Sequence, residues 1–314
     1  MNELVFFSGL PRSGSTLICN LLGEHEDISV TSSSPLNQIV QNMKRMWSDD
    51  PFLLSQLDNN FDIVYKKLED STRAFIETYS ENGTKITIDK NRGWLTNVEF
   101  VRSLYPNFKM IVCLRDPRQI FASVEKAHKK TSLLDFPDHM DANDVNNRAN
   151  ILFDNNGIIG SCLKAVNNLQ DIPNIMPHLF FFRYEDFLQK PQETMDSLFK
   201  WLGLETKKID FNNMKQYTFE SDSYYRMKFC HKIKTKLENP KTLETTPISP
   251  RILDEIFRRY EWFYKTYYPE LVSVTQSQKE QTISNVSQIS NNNIEEQVAS
   301  EIDDVLKKNK KVKK

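Results

Sequence analysis

Cysteine is scarce in this chain, with 4 in 314 residues, and no two of them form a C-x-x-C pair. Cys19, Cys113, Cys162 and Cys230 lie far apart, which excludes a disulfide framework and fits a reducing compartment. An excess of one charge is lacking too: Lys and Arg number 41 against 42 Asp and Glu, a formal net charge of −1. The chain as a whole therefore has no field suited to a nucleic-acid backbone, and any anion must be held by a local site. No stretch approaches the ~20 apolar residues of a membrane span. The opening Met1-Asn2-Glu3, before a short apolar run, lacks the basic start and longer apolar core of a signal peptide. A cytoplasmic protein that engages neither membrane nor nucleic acid is expected. No His/Cys/Asp/Glu cluster has ligand spacing, so no metal is expected either.

What is present is an ordinary globular composition, 39% hydrophobic and 26% charged, on a chain long enough for a large α/β domain. Leu4-Val5-Phe6-Phe7 reads as a buried strand that runs into the turn Ser8-Gly9-Leu10-Pro11, and Leu17, Ile18, Leu21 and Leu22 then recur at helical spacing. Residues 36 to 80 carry two helical patterns. Lys85–Ile88 is a β-branched strand that delivers Asp89-Lys90-Asn91-Arg92 into a loop. Lys109–Leu114 is a continuous apolar run typical of a central parallel strand, and Pro117 fits the first turn of the helix that follows. Residues 131 to 147 read as a lid or substrate loop, about 148 to 170 as one long helix, and Leu179–Arg183 as a further strand. A helix opens at Pro191 and closes at Leu202-Gly203; a last one carries Ile252, Ile256, Phe257, Tyr260 and Phe263. Strand and helix alternate, which predicts a parallel sheet covered on both faces. The domain is expected over residues 1–272, with 273–314 a polar tail in which Ile294, Val298, Ile302 and Val305 share one helical face.

Gly9-Leu10-Pro11-Arg12-Ser13-Gly14-Ser15-Thr16 has the G-x-x-x-x-G spacing of a loop that turns backbone N–H groups and a helix dipole toward an anion. A nucleoside-triphosphate loop places lysine directly after the second glycine; here that residue is Ser15. Arg12 supplies the cation from inside the loop, and Ser13, Ser15 and Thr16 add hydroxyls. Arg115 falls at a second strand's carboxyl end, where open α/β sheets bind ligands, and Ser123 on the next helix reaches back toward it. Two separated anion sites suit a nucleotide with phosphate at both ends of its ribose.

Pro11-Arg12-Ser13-Gly14-Ser15-Thr16-Leu17 resembles the 5′-phosphosulfate loop of sulfotransferases that use 3′-phosphoadenosine 5′-phosphosulfate (PAPS). Leu114-Arg115-Asp116-Pro117-Arg118, with Ser123, resembles their 3′-phosphate motif, and Arg183-Tyr184-Glu185-Asp186-Phe187 through Leu204 is similar to their later part. The likeness runs from about residue 4 to about residue 270 and is nearest the bacterial and protein-tyrosine branches; the small-phenol branch carries lysine where Arg12 stands. It implies a three-layer P-loop-like fold, a central parallel sheet flanked by helices, that binds PAPS and releases its desulfated product PAP. Arg12 to Leu17 would hold the 5′-phosphosulfate, Arg115 and Ser123 the 3′-phosphate, and Lys90 the leaving oxygen.

The implied acceptor is a free hydroxyl on a saccharide, a small metabolite or a peptide tyrosine. The general base is the open position. The protein-tyrosine branch has a glutamate beyond the first helix, where this chain reads Val30-Thr31-Ser32-Ser33-Ser34-Pro35. Asp89 is the candidate base, and His128 a second. The segment from Tyr224 to Lys236 would close over the nucleotide through Lys234 and Thr235. Two other readings fit parts of the pattern: a P-loop kinase for a nucleotide or small molecule, and a non-catalytic nucleotide-binding scaffold whose tail helix joins copies or partners.

Overall fold

The computed structural model describes residues 3–131, 144–220, 231–238, 243 and 248–273. Five parallel strands form one sheet: β1 (Glu3–Gly9), β2 (Ile28–Val30), β3 (Ile86–Lys90), β4 (Lys109–Leu114) and β5 (Leu179–Arg183), in the order β2-β3-β1-β4-β5. The apolar runs of β1 and β4 lie side by side at the centre, with Phe7 opposite Ile111 and Gly9 opposite Cys113. Central strands are covered on both faces, which is why their sequences show no polar alternation. Val5, Phe6, Phe7 and Met110 through Leu114 are all buried, and sequestering each large side chain stabilises the fold by roughly 1.5–3 kcal/mol.

The two faces of β1 feed two helical layers. Val5 and Phe7 join a core with Ile18, Leu21 and Leu22 of α1 (Ser15–Leu22), Phe187 of α9 (Tyr184–Gln189), and Met195, Leu198 and Phe199 of α10 (Pro191–Leu202). Phe6 points the other way. Its ring meets Trp94 edge-on at 4.9 Å and Tyr105 at 5.8 Å, under α4 (Gly93–Thr96) and α5 (Val98–Leu104). The sheet is thus the middle of three layers, as expected. The helical patterns of residues 36 to 80 become α2 (Leu36–Asp49) and α3 (Pro51–Ser80), which Asp50 separates by accepting a hydrogen bond from Leu53 N. Pro117 opens α6 (Pro117–Thr131).

The single helix expected over residues 148 to 170 is instead two, α7 (Val145–Phe153) and α8 (Gly160–Asn168). Gly157 and Gly160 break it: a Cβ on either would lie 2.2 and 2.0 Å from backbone oxygens of the preceding turn, so the chain folds back there as only glycine permits. The last helical pattern also divides, at Tyr260, into α11 (Pro250–Arg259) and α12 (Glu261–Tyr267). β2, three residues long, was not legible as a strand. The chain separates into two compact units. The first runs to Ile256 and holds the sheet; the second begins at Phe257, and its described part is an aromatic cluster with Phe263 ring to ring against Tyr267 and Tyr268 at 5.2 and 5.6 Å. The central part of the expected lid, the stretch Tyr224–Lys228 and the tail helix all lie outside the described residues. Among the described residues no helix is long and apolar enough to cross a membrane.

Candidate active site

The turn after β1 is built by close approach. Gly9 has φ +135°, and a Cβ there would stand 2.2 Å from Cys113 O, so glycine alone lets β1 and β4 run this near. Leu10 N then donates to Cys113 O at 2.9 Å, and Ser13 Oγ donates to Leu10 O at 2.6 Å, closing the loop on itself. Arg12 takes φ +57° and Gly14 φ +82°. Left-handed backbone at a non-glycine residue is uncommon and costs energy; here it turns the Arg12 side chain outward. Gly14 caps α1 with no side-chain hydrogen bond, so the first-turn N–H groups of Ser15, Thr16 and Leu17 have no intrahelical partner and face a cavity.

That cavity, of about 570 Å³, opens at the carboxyl ends of β1, β3 and β4, where ligands bind in open α/β sheets. Arg12, Gly14, Ser15, Thr16 and Leu17 line it from the loop, Lys90 from β3 and Arg115 from beyond β4. The sequence motifs, more than a hundred residues apart, therefore meet. Arg115 is held in two ways: Nη1 donates to Arg12 O at 2.7 Å, and its guanidinium lies over the Tyr184 ring at 4.9 Å; the same ring packs where a Gly14 Cβ would intrude at 2.4 Å. Its Nε is buried without a hydrogen-bond partner among the described residues. A buried donor left unmade is costly.

Lys90 sits half-buried at the cavity wall, and burial pushes its amine below the usual lysine range, with Arg92 adding to the effect. An anion brought against it favours the charged form. On the same side of the sheet, burial lifts the Cys19 thiol to about 12 and raises that of Cys113 well above the usual thiol range; neither thiol is poised as a nucleophile.

The remaining expected residues divide. Ser123 Oγ accepts from Arg12 Nε at 3.2 Å, so it stands beside the loop without lining the cavity. Ser13 is fully buried beneath the turn it braces. Lys234 lines the cavity and pairs with Glu238, whereas Thr235 meets the fold through its carbonyl, which accepts from Met214 N at 2.7 Å. Neither Asp89 nor His128 lines the cavity. Asp89 is 4% exposed and accepts from Trp94 Nε1 at 2.6 Å; burial holds its carboxyl above the usual range against the opposing hydrogen bonds of Ser34 and Trp94. Period-2 alternation explains the split: Ile88 and Lys90 share one face of β3 and Asp89 takes the other.

Sequence reasoning gave no role to Tyr184, Arg92 or Ser33, and placed Lys232 only within the segment expected to close over the nucleotide; all four line the cavity. Tyr184 carried a signal, since it follows a strand end directly as Arg115 does. The others come from irregular backbone.

Comparison with known proteins agrees with this geometry. The model of the sulfotransferase family matches residues 5–208. A putative protein-tyrosine sulfotransferase of Caenorhabditis briggsae is 25% identical over 211 residues, which cover 65% of this chain and 66% of that protein. Protein-tyrosine sulfotransferase 1 of Danio rerio is 23% identical over 204 residues, 64% of this chain and 53% of the relative. The chain thus spans between about half and two thirds of the length of these relatives. In structure, the sulfotransferase domain from the curacin biosynthetic pathway matches over 83% of this chain and 98% of its own, with a TM-score of 0.51 and 15% identity, a likeness of fold. With its nucleotide-type loop, its second cationic strand end and a family match that spans both, the chain belongs to the sulfotransferase family.

Proposed function

We propose that the protein transfers a sulfuryl group from PAPS to a hydroxyl of an acceptor and releases PAP. One observation carries the reading: Arg12, Lys90 and Arg115 converge on a single cavity at three adjacent strand ends. Two anion sites flank that cavity. The uncapped first turn of α1 and Arg12 take the 5′-phosphosulfate through backbone N–H groups and charge. Arg115, braced by Tyr184, takes the 3′-phosphate with Ser123 nearby, and Lys234 contributes charge from the late segment. Thr235 is the weakest of these contacts, since its carbonyl is engaged with Met214.

The chemistry needs charge stabilisation more than covalent participation. As the acceptor oxygen approaches sulfur in line, negative charge builds on the oxygen that bridges sulfur to the 5′-phosphate. Lys90 and Arg12 stand where fixed cations lower the energy of that charge most. The acceptor class is a hydroxyl; two relatives are named for protein tyrosine, and a tyrosine-bearing peptide is the first acceptor to try beside saccharides and small metabolites.

The test is calorimetric titration of 3′,5′-ADP into wild type and Arg115→Ala, with ATP–magnesium as comparison. Binding of 3′,5′-ADP that weakens at least tenfold in the variant, about 1.4 kcal/mol, is the expected result. A preference for ATP–magnesium, or no change on losing Arg115, would overturn the reading.

A further inference from the structure

Transfer to a hydroxyl requires that its proton go somewhere. Asp89 is engaged with Trp94 on the far face of β3, and the stretch after β2 offers only hydroxyls. A carboxylate does reach that stretch, from far along the chain. Glu220 Oε1 accepts from Ser32 N at 2.8 Å, and Glu220 Oε2 accepts from Ser32 Oγ at 2.7 Å.

Ser32 is fully buried and lies abreast of Lys90. Val30 pairs with Ile88 in the β2–β3 register, and Ser34 N donates to Lys90 O at 2.9 Å, which puts Ser32 level with Lys90 on that strand. The neighbouring Ser33 lines the cavity together with Lys90, and Glu220 stands behind that wall, on Ser32, rather than on it. Glu220 is also held from behind. Asn20 of α1, fully buried, accepts from Tyr217 N at 2.5 Å and Thr218 N at 3.0 Å, while its Nδ2 donates to Thr16 O at 2.8 Å and to Thr218 Oγ1 at 3.1 Å. The phosphate-type helix thus carries the segment that presents the carboxylate. Ser32 from the end of β2 holds Glu220, whose negative charge acts on Lys90 of β3 and the Cys19 thiol of α1. Each Glu220 oxygen accepts one hydrogen bond from Ser32 and keeps acceptor capacity for another.

We propose that Glu220 is the catalytic base, a role that rests on the sulfotransferase reading above. The acceptor oxygen forms its bond to sulfur as its proton passes to a Glu220 oxygen. The bond from sulfur to the 5′-phosphate oxygen breaks, and its electron pair stays on that oxygen beside Lys90. No other reactant enters, and the charges balance: a hydroxyl and a carboxylate become a sulfate ester and a carboxylic acid. Carboxylate and ammonium stand on one side of the sheet because proton removal and leaving-group stabilisation occur at opposite ends of one in-line displacement.

The experiment measures 3′,5′-ADP release from PAPS by wild type, Glu220→Gln and Glu220→Asp. Acceptors are phenol, the more acidic 4-nitrophenol and water alone. A general base contributes typically 10²–10⁴-fold. Glu220→Gln is expected to lose at least 100-fold with phenol and less with 4-nitrophenol, whose proton needs less help. It should also lose the acid limb of the pH–rate profile, which Glu220→Asp keeps at a reduced rate. Affinity for 3′,5′-ADP should stay within threefold throughout. Release by Glu220→Gln within threefold of wild type would overturn the assignment. So would an equal loss with both phenols and an unchanged pH profile, the mark of a merely structural residue. Should Glu220→Gln fail to fold, Ser32→Ala, which removes one of the two donors, is expected to lower the rate and shift the acid limb; no effect of Ser32→Ala on either counts against the base. Wild type that binds no 3′,5′-ADP instead sinks the donor reading itself, a separate failure seen before any turnover is measured.

Discussion

Adjacent residues on β3 have opposite duties, and pH separates them. Lys90 faces the cavity, whereas Asp89 is buried against Trp94 with its carboxyl held above the usual range, burial being the dominant cause. A carboxyl that holds its proton more tightly folded than unfolded contributes stability below the unfolded pKa and loses it as pH rises through the folded value. Asparagine is neutral at every pH and still accepts from Trp94 Nε1. Asp89→Asn should therefore match wild type in acid and become progressively the more stable as pH climbs above about 4. Denaturant midpoints at pH 4, 6 and 8 read this directly. Wild type gaining on the variant with rising pH would mean that neighbouring cations, not burial, govern the carboxyl. Tyr184 shows how one residue serves two motifs at this scale: its ring fills the space that Gly14 leaves and supports Arg115 from below.

At the scale of elements, the residues of the proposed site are only as fixed as the elements that carry them. α6 brings Ser123 to Arg12, and two residues later Glu125, 1% exposed, forms a bidentate pair with Arg148 of α7 at 2.8 and 2.7 Å. The pair ties α6 to the helix that follows the undescribed stretch. Removing one partner of a buried pair strands the other charge, at a cost of about 3–5 kcal/mol. Arg148→Met should lower stability by that amount. Glu125→Leu in the same chain should recover most of it, because two apolar side chains of similar volume bury without penalty. Equilibrium unfolding of the single and double variants checks both statements; a double variant no more stable than Arg148→Met would show that the pair sustains more than itself. The same elements mark where the sequence misled. Hydrophobic spacing continues across 148 to 170, but periodicity does not register that Gly157 and Gly160 fold the chain onto itself between α7 and α8. β2 escaped notice because three residues hold too little alternation to read.

For the molecule as a whole, what was legible was what is contiguous. The loop from Gly9 to Thr16 and the run from Leu114 to Arg118 each carry their pattern in one stretch, so residue type and spacing pointed to both, and residues of both line the cavity. The parallel sheet followed from alternation of strand and helix. What was hidden depends on contacts between distant stretches: Ser32 and Glu220 are 188 residues apart, and the segment from 231 to 238, which walls the cavity with Lys232 and Lys234, has no regular structure to read. The proposed site lies wholly in the unit that ends at Ile256, and that fixes a last expectation. A ligand that binds only the folded state stabilises it by about 2.7 kcal/mol at a hundred times its Kd. For a domain of this size each kcal/mol raises the melting point by about 2–4 °C, so saturating 3′,5′-ADP should raise it by about 5 °C or more. The shift should belong to the sheet-bearing unit, and amide exchange should slow in the β1–α1 loop and around Arg115. Adenosine 5′-diphosphate, which lacks the 3′-phosphate that Arg115 is proposed to hold, should give a clearly smaller shift at equal concentration. Equal shifts from the two nucleotides would mean that the cavity reads a diphosphate alone, and the second cationic strand end would then need another ligand.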